Sequence, residues 1–434
     1  MTSLPWRTKA SAVLTAIVFW SLIPIHAQDS AKLTLNEAVA LALKNSGELA
    51  LARERVATEK SVARVDRSAF LPNVSTAGGL AYTAGLPQAI NGQQPSIFQL
   101  NYSELVFDRE LRGRIRAEED HATNQESDLT RQRDLVIART AACYLELAKV
   151  RQALDLLRDE RRSTQEIEDY DRKRSNAGLE LPIEVTRSEL SIAKVEQRIT
   201  AANARNQLLT AQLENLTGLP PERLAEISTE KLPDATRPVV DFTRAAEENS
   251  GALKDAETEQ KARQHVLEGE RGSYWPSIAV LGQYNVLSKV NNYQEFYQKF
   301  PRNNVTLGIL VKIPIFNSRN AASVSLTSHQ LVEADLDAQV IRQNTDIAAL
   351  QTANNDAEQE AALVVARLEV QLADENLALL QSNFDRGQVS VKDLEESRLA
   401  ELDKKLALLD AGFALQRAQL QSMQMNGQLT QVFK

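Results

Sequence analysis

The chain has 434 residues, of which aromatics make up only 5%, with 16 Gly, 13 Pro and long stretches dominated by Ala, Leu, Glu, Gln and Arg. That profile is poor for compact α/β domains and suits long helices with narrow apolar seams. The formal net charge is −8, and Lys and Arg are interleaved with acids, so there is no basic footprint for nucleic acid.

At the N-terminus, Arg7 and Lys9 precede an apolar run from Ala10 to Ile25, and Ile25-His26-Ala27 places a small residue before Gln28. This predicts a cleaved secretory signal peptide over residues 1–27. A membrane anchor is the alternative, but the run is short for a span and contains Pro24. No Cys follows the cut, which argues against a lipoprotein anchor there. Beyond Gln28 no run of about 18 apolar residues recurs, so the mature chain should have no transmembrane helix. The single Cys143, within an apolar helical stretch, excludes an intrachain disulfide and reads as a packed residue.

The punctuation of the chain recurs. Leu71-Pro72-Asn73-Val74 is echoed by Trp275-Pro276-Ser277-Ile278, Leu105-Val106-Phe107-Asp108 by Ile315-Phe316-Asn317, and Ala177-Gly178-Leu179 by Arg386-Gly387-Gln388. The expectation is a duplicated unit, with a first repeat over 28–230 and a second over 231–434. The junction is the Pro-rich stretch from Gly218-Leu219-Pro220-Pro221 through Pro233 to Pro238.

Each half opens with a helix, one from Thr34-Leu35-Asn36-Glu37-Ala38 to about Phe70 and the other from about Asp241 to Gly272. A Pro then stops the helix and alternation with a period of two takes over. Strands are expected at about 73–85, 96–107, 277–288 and 303–315, with turn-rich loops near Pro87–Pro95 and Asn291–Asn304. In the last strand Val305, Leu307, Ile309, Val311, Ile313 and Ile315 share one face, and Thr306, Gly308 and Lys312 lie on the other. In the second, Phe98, Leu100 and Tyr102 alternate with Gln99, Asn101 and Ser103. Long helices follow, from about Asp108 to Asn176 and from about Ser318 to Arg386. Each would be a rod of roughly 100 Å. Gly178 and Gly387 suit left-handed caps at which the chain turns and a second helix returns. Helices this long must pack side by side as coiled-coil-like hairpins.

Alternating strands of this length fit an outer-membrane β-barrel, with lipid-facing apolar residues and lumen-facing polar ones. Four strands cannot close, and open edges in lipid leave backbone groups unsatisfied. Several copies must therefore share one barrel, and three would give about twelve strands. The alternative is a pair of soluble hairpins capping a coiled coil.

In order and duplication, the segments Leu33 to Asn45, Phe70-Leu71-Pro72-Asn73-Val74, Phe107-Asp108-Arg109, Ala177-Gly178-Leu179 and Leu216-Thr217-Gly218-Leu219-Pro220 resemble the TolC-like outer-membrane efflux protein family. The resemblance covers nearly all of the mature chain. It implies a mainly α fold with membrane β, assembled as a homotrimer with a 12-stranded outer-membrane β-barrel and a periplasmic α-barrel. It also implies export of drugs, metal ions or proteins together with a periplasmic adaptor and an inner-membrane pump. In such proteins the helix turns contact the adaptor, which here points to Gly178, Leu179, Gly387 and Gln388. Acids just beyond the turns ring the tunnel entrance, which points to Asp393, Glu396 and Glu184. Three copies of each at a constriction would attract cations and disfavour anions. They equally suit a first helical turn, where the helix dipole favours acids. One departure is visible. Where the family pattern has a latching Arg two residues after the second glycine, this chain has Val389, and the aromatic three residues before that glycine is Phe384, without a hydroxyl. A closed tip would have to rest on other contacts, such as packing of Phe384.

No catalytic constellation, cofactor motif or metal-ligand spacing is readable. His26, His121, His265 and His329 are scattered, and Gly78-Gly79 sits in a strand pattern rather than before a helix. The pairs Glu118-Glu119, Glu247-Glu248 and Glu395-Glu396 read as solvated helix surface. The rival readings are a periplasmic coiled-coil adaptor, which should carry one hairpin flanked by β-domains, and a structural coiled coil, which needs no period-two segments.

Overall fold

The computed structural model describes residues 32–79, 96–179, 181–224, 227, 242–287 and 301–433. The signal-peptide segment, the Pro233–Pro238 junction, residues 80–95 and most of the loop near Asn291–Asn304 lie outside them. Thirteen elements follow one another in the described residues. The first half contains α1 (Leu35–Asn45), α2 (Gly47–Ser68), β1 (Asn73–Ala77), β2 (Ser96–Phe107), α3 (Arg109–Asn176) and α4 (Pro182–Thr217). The second contains α5 (Phe242–Asn249), α6 (Gly251–Gly272), β3 (Ser277–Leu287), β4 (Asn303–Lys312), α7 (Ser318–Asp385) and α8 (Val391–Met425), followed by the short α9 (Leu429–Val432).

The opening helix expected to run unbroken to Phe70 is two helices. Ser46 leaves the helical region at ψ 115°, and its hydroxyl caps the next helix at the Leu49 amide. Ser250 does the same at ψ 110° between α5 and α6, through the Leu253 amide. Both breaks fall in an Asn-Ser-Gly triplet, where a capping serine competes successfully with helix continuation. The helix start itself is a capping box, with Thr34 and Glu37 each accepting from the other's backbone amide. The last strand also ends early, at Lys312 rather than 315, because Pro314 has no amide to extend the ladder. The first covers Asn73–Ala77, with residues 80–85 outside the described part.

The strands form one antiparallel sheet in the order β1-β2-β3-β4. Cross-strand partners share a face. Leu100 pairs with Tyr284, which pairs with Val305, and Tyr102 pairs with Gly282, which pairs with Leu307. Val280 pairs with Ile309 and Ile278 with Val311, so this face is mostly apolar, interrupted by Glu104 opposite Val280 and Thr76 opposite Leu100, and on it Phe98 meets Tyr284 edge-to-face at 6.3 Å. The opposite face carries Asn101, Ser103, Gln283, Asn285 and Thr306, interrupted by Leu281 and Leu310. A soluble antiparallel sheet would pack its apolar face on a core, whereas here Val305, Leu307 and Ile309 are all more than half exposed.

Below it the helices continue the strands in the same order. α3 packs on α2 and on α6, and α6 packs on α7. Further along, α3 and α7 persist while their neighbours change, so that α4 packs on α3, and α8 lies between α3 and α7. The two 68-residue helices α3 and α7 are thus the full-length staves. Midway along α3 is the main apolar core, where Tyr144, Leu147, Leu209, Leu213, Leu224 and Leu429 are completely enclosed. The Tyr144 hydroxyl donates to the Leu33 carbonyl at 2.6 Å, so the polar end of the ring is satisfied there. Cys143 belongs to the same core, with burial pushing its thiol up to about 11.

Just under the sheet, α3 and α6 approach backbone to backbone. A Cβ on Gly113 would lie 2.5 Å from the Gly269 Cα, and one on Gly272 would lie 2.6 Å from the Arg109 Cβ. Gly113, which looks like a helix weakness in the sequence, is required by this crossing. Gly113→Ala should therefore destabilise the protein by about 1–3 kcal/mol through overpacking. Gly47→Ala, at a site with open space around the added methyl, should cost nothing comparable. Thermal unfolding of the two variants separates the cases.

Candidate functional site

The candidate site is the far end of the helical layer, where two hairpins turn. At Gly178 (φ 69°) the Gly178 amide donates to the Ser175 carbonyl at 3.0 Å and the Leu179 amide to the Arg174 carbonyl at 2.9 Å. At Gly387 (φ 73°) the corresponding bonds run to Phe384 at 2.8 Å and from Gln388 to Asn383 at 3.0 Å. Both turns are Schellman caps, so the left-handed glycines have a backbone reason independent of any partner. Beyond the first turn, Leu179, Leu181 and Ile183 stand more than half exposed. Apolar residues crowded at a helix turn this way are unusual on a protein that has no partner there.

The three expected entrance acids are held differently. Asp393 is the third residue of α8 and closes a capping box with Ser390, whose hydroxyl donates to it at 2.7 Å. These bonds from the Ser390 side chain and backbone hold its carboxyl below the usual carboxylate range. Glu396 is exposed, with Lys392 at 3.8 Å along the same helix. Glu184 is half-buried and paired with Arg187 one turn on. Asp393 and Glu396 share one helical stripe on α8, while Glu184 stands in the first turn of α4. Phe384 and Val389 are both half-buried, on either side of the Gly387 turn.

The sequence reading overlooked a polar seam behind these turns. Toward the tip the interior of α3 changes from Leu154 and Leu157 to Thr164, Glu168 and Asp171, all buried. On α4 it changes from Leu209 and Val195 to Ser191 and Ser188. Glu395, expected on a solvated surface, is instead 5% exposed, and one of its carboxylate oxygens has no hydrogen-bond partner among the described residues. It lies on the face of α8 that turns inward. Arg398 from the same helix bridges Ser163 on α3 and Gln381 on α7. Burial raises the nearby Glu160 carboxyl above its ordinary value, with Arg398 opposing and Glu401 and Glu395 adding to the rise. The four-residue spacing of Glu160, Thr164 and Glu168 was the available signal, a polar stripe where an apolar one belongs.

Two of the four scattered histidines meet acids across the α3–α6 contact, His265 with Asp120 at 2.7 Å and His121 with Glu259 at 3.4 Å. Among the described residues no three His, Cys, Asp or Glu side chains come together as a metal site, and no helix is long and apolar enough to cross a membrane.

Known proteins share this architecture. The family model described as outer membrane efflux protein matches residues 38–219. Outer membrane protein TolC of Vibrio cholerae is 21% identical over 370 residues, covering 83% of each chain. The outer membrane channel CmeC of Campylobacter jejuni superposes with a TM-score of 0.76 at 18% identity, covering 98% of this chain and 90% of its own. The outer membrane protein VceC of Vibrio cholerae gives 0.75 at 17% identity, covering 91% and 96%. Helices and strands are thus arranged as in these outer membrane channels, and the outer membrane efflux protein family model is matched over much of the first half of the chain.

Proposed function

We propose that this protein is the outer-membrane channel of a tripartite efflux or type I secretion system, carrying substrates from a pump and adaptor to the exterior. The observation that carries the reading is the four-stranded sheet with one mostly apolar, exposed face and, among the described residues, two edges without a further strand, β1 and β4, set directly on a layer of long helices. In lipid such edges must find partners, and a closed ring of identical sheets supplies them. Three copies give a 12-stranded barrel and a tunnel of α-helices through the periplasm, so the working unit is a homotrimer. The helices support the same assembly. Leu336, Val340, Ile347, Leu350, Leu368, Leu372 and Leu379 form a stripe along α7 that is more than half exposed in the single chain, as an unpaired coiled-coil seam would be.

In this reading residues 1–27 are a secretion signal removed on export, and the two halves descend from one duplicated unit. The recurrence of helix, broken helix, two strands, long helix and shorter helix supports that origin. The turns at Gly178-Leu179 and Gly387-Gln388 dock the periplasmic adaptor, through which the inner-membrane pump is engaged. The exposed Leu179, Leu181 and Ile183 suit such a contact. Asp393 and Glu396, with Glu184, ring the entrance, and their carboxylates favour cations there. Closure at the tip rests on packing around Phe384 and on the Arg398 bridge, since Val389 offers no charge.

Three outcomes test these assignments. Ile309→Asp should abolish recovery of trimers from outer membranes, whereas Thr306→Asp on the opposite face should be tolerated, as judged by mild-detergent chromatography. Asp393→Asn with Glu396→Gln should weaken cation selectivity in planar bilayers. Because its capping bonds lower the Asp393 pKa, the charge it contributes is complete above the ordinary carboxylate value and is lost only as pH falls through the lowered one. Ser390→Ala should therefore make that selectivity fade at a higher pH than in the unaltered channel.

A further inference from the structure

Where β2 passes into α3, the chain places cations immediately beside the end of the apolar sheet face. Asp108 caps the helix, and Arg109, Arg112 and Arg116 follow at spacings of three and four, on one stripe of α3. All three are exposed. Arg109 stacks over the Trp275 ring at 4.6 Å, and Arg112 over Phe107 at 5.0 Å and Phe70 at 5.7 Å. Two neighbouring arginines are matched by acids, Arg114 with Asp66 at 2.8 Å and Arg67 with Glu119. Among the described residues no carboxylate lies within ion-pair distance of Arg109, Arg112 or Arg116. The row thus carries a local excess of positive charge on a protein whose net charge is −8.

Between α2, the end of β2 and α3 lies a half-open recess of about 400 Å³, lined by Phe70, Glu104, Val106, Arg112, Arg116 and others. Its two acids are already occupied, Glu119 by Arg67 and Glu104 by the Tyr102 hydroxyl at 2.5 Å. The bulge between Leu105 and Phe107 shifts the strand so that Phe107 pairs with Ile278 and joins the apolar face. Phe107 and Phe70 thereby bring the ring contacts of Arg112 to the rim of that face. Aromatic rings at a strand end beside guanidinium groups are the composition of a membrane–water boundary.

We propose that the recess is a binding site for the anionic headgroup of a membrane phospholipid in the leaflet facing the helices. The phosphate accepts from Arg112 and Arg116, and the acyl chains run along the apolar face past Phe107. Arginine suits this role because its planar fork pairs with phosphate oxygens while its face stays on the rings. The site rests on the reading that the apolar sheet face meets lipid.

The test uses the full mature trimer, titrated in uncharged detergent with phosphatidylglycerol, with phosphatidylcholine of the same chain length, and with inorganic phosphate. The readouts are thermal unfolding and bound lipid by native mass spectrometry. Phosphatidylglycerol should bind and raise the unfolding temperature, and phosphatidylcholine and millimolar phosphate should do neither. Arg116→Ala, which leaves the stacked rings untouched, should weaken phosphatidylglycerol about tenfold, as loss of one charge-assisted contact does. Arg112→Ala should do the same, and Arg158→Ala, far along the same helix, should bind as the unaltered protein does. Equal responses to the two lipids, or an Arg116→Ala trimer that binds phosphatidylglycerol undiminished, would overturn the site while the channel reading stands. An equal effect of inorganic phosphate would overturn the lipid as its source. A chain that enters no bilayer and forms no trimer would overturn the channel reading and the lipid site with it.

Discussion

A backbone amide or carbonyl in hydrocarbon has nowhere to turn except another backbone, and on the channel reading proposed above the architecture of this chain follows from that obligation. Among the described residues the sheet satisfies its interior strands and gives β1 and β4 no further strand at their outer edges. A protein in water could cover such edges with a loop or a charged side chain. Beside lipid the sheet must be continued, and the continuation must come from outside the chain. On the channel reading, the oligomer follows from the strand count. A helix layer built to the same width is needed to carry the ring of strands downward.

That width is kept by order. Each strand is joined to a helix, and the helices stand below in the sequence of the strands above. Where the backbones of α3 and α6 must come close to do so, Gly113, Gly269 and Gly272 provide the room. Halfway down, α2 and α6 give way to α4 and α8, so that four helices are present at every level although only α3 and α7 run the whole distance. The apolar core around Tyr144 marks the level at which the partners change. The start of α1, the residues around α9 and the connection after α4 are gathered there, with Leu33, Leu224, Ile227 and Phe433 in one cluster.

Much of this was legible from the sequence because lipid and long coiled coils impose strict periods. Alternation located three of the four strands to within a few residues, and Gly178 and Gly387 marked the turns because only left-handed backbone closes a Schellman cap cheaply. The misreadings have local causes. Ser46 and Ser250 look like ordinary helix residues until their hydroxyls are seen capping the following helix. Ile313 and Ile315 keep the alternation that Pro314 makes useless as a ladder. Gly113 is explained only by a helix 156 residues later in the chain, and Glu395 reads as surface because its neighbour Glu396 is. Which acids face a lumen depends on copies of the chain that no single sequence contains, and so the tip was legible as a place but not as a lining.

The interior of the hairpins is not uniform, and this gives the tube a gradient of stiffness. Around Tyr144 the seam is leucine and aromatic, and prising it apart exposes apolar surface to water at about 25 cal/mol per Å². Near the turns the same seam holds Thr164, Glu168, Ser188 and Glu395, side chains that water can solvate as well as their present neighbours do. Opening there exchanges polar contacts for hydration and exposes little that water disfavours. The rod is clamped at its waist and compliant at its end, so a load applied to the tip bends the last few turns and leaves the sheet undisturbed.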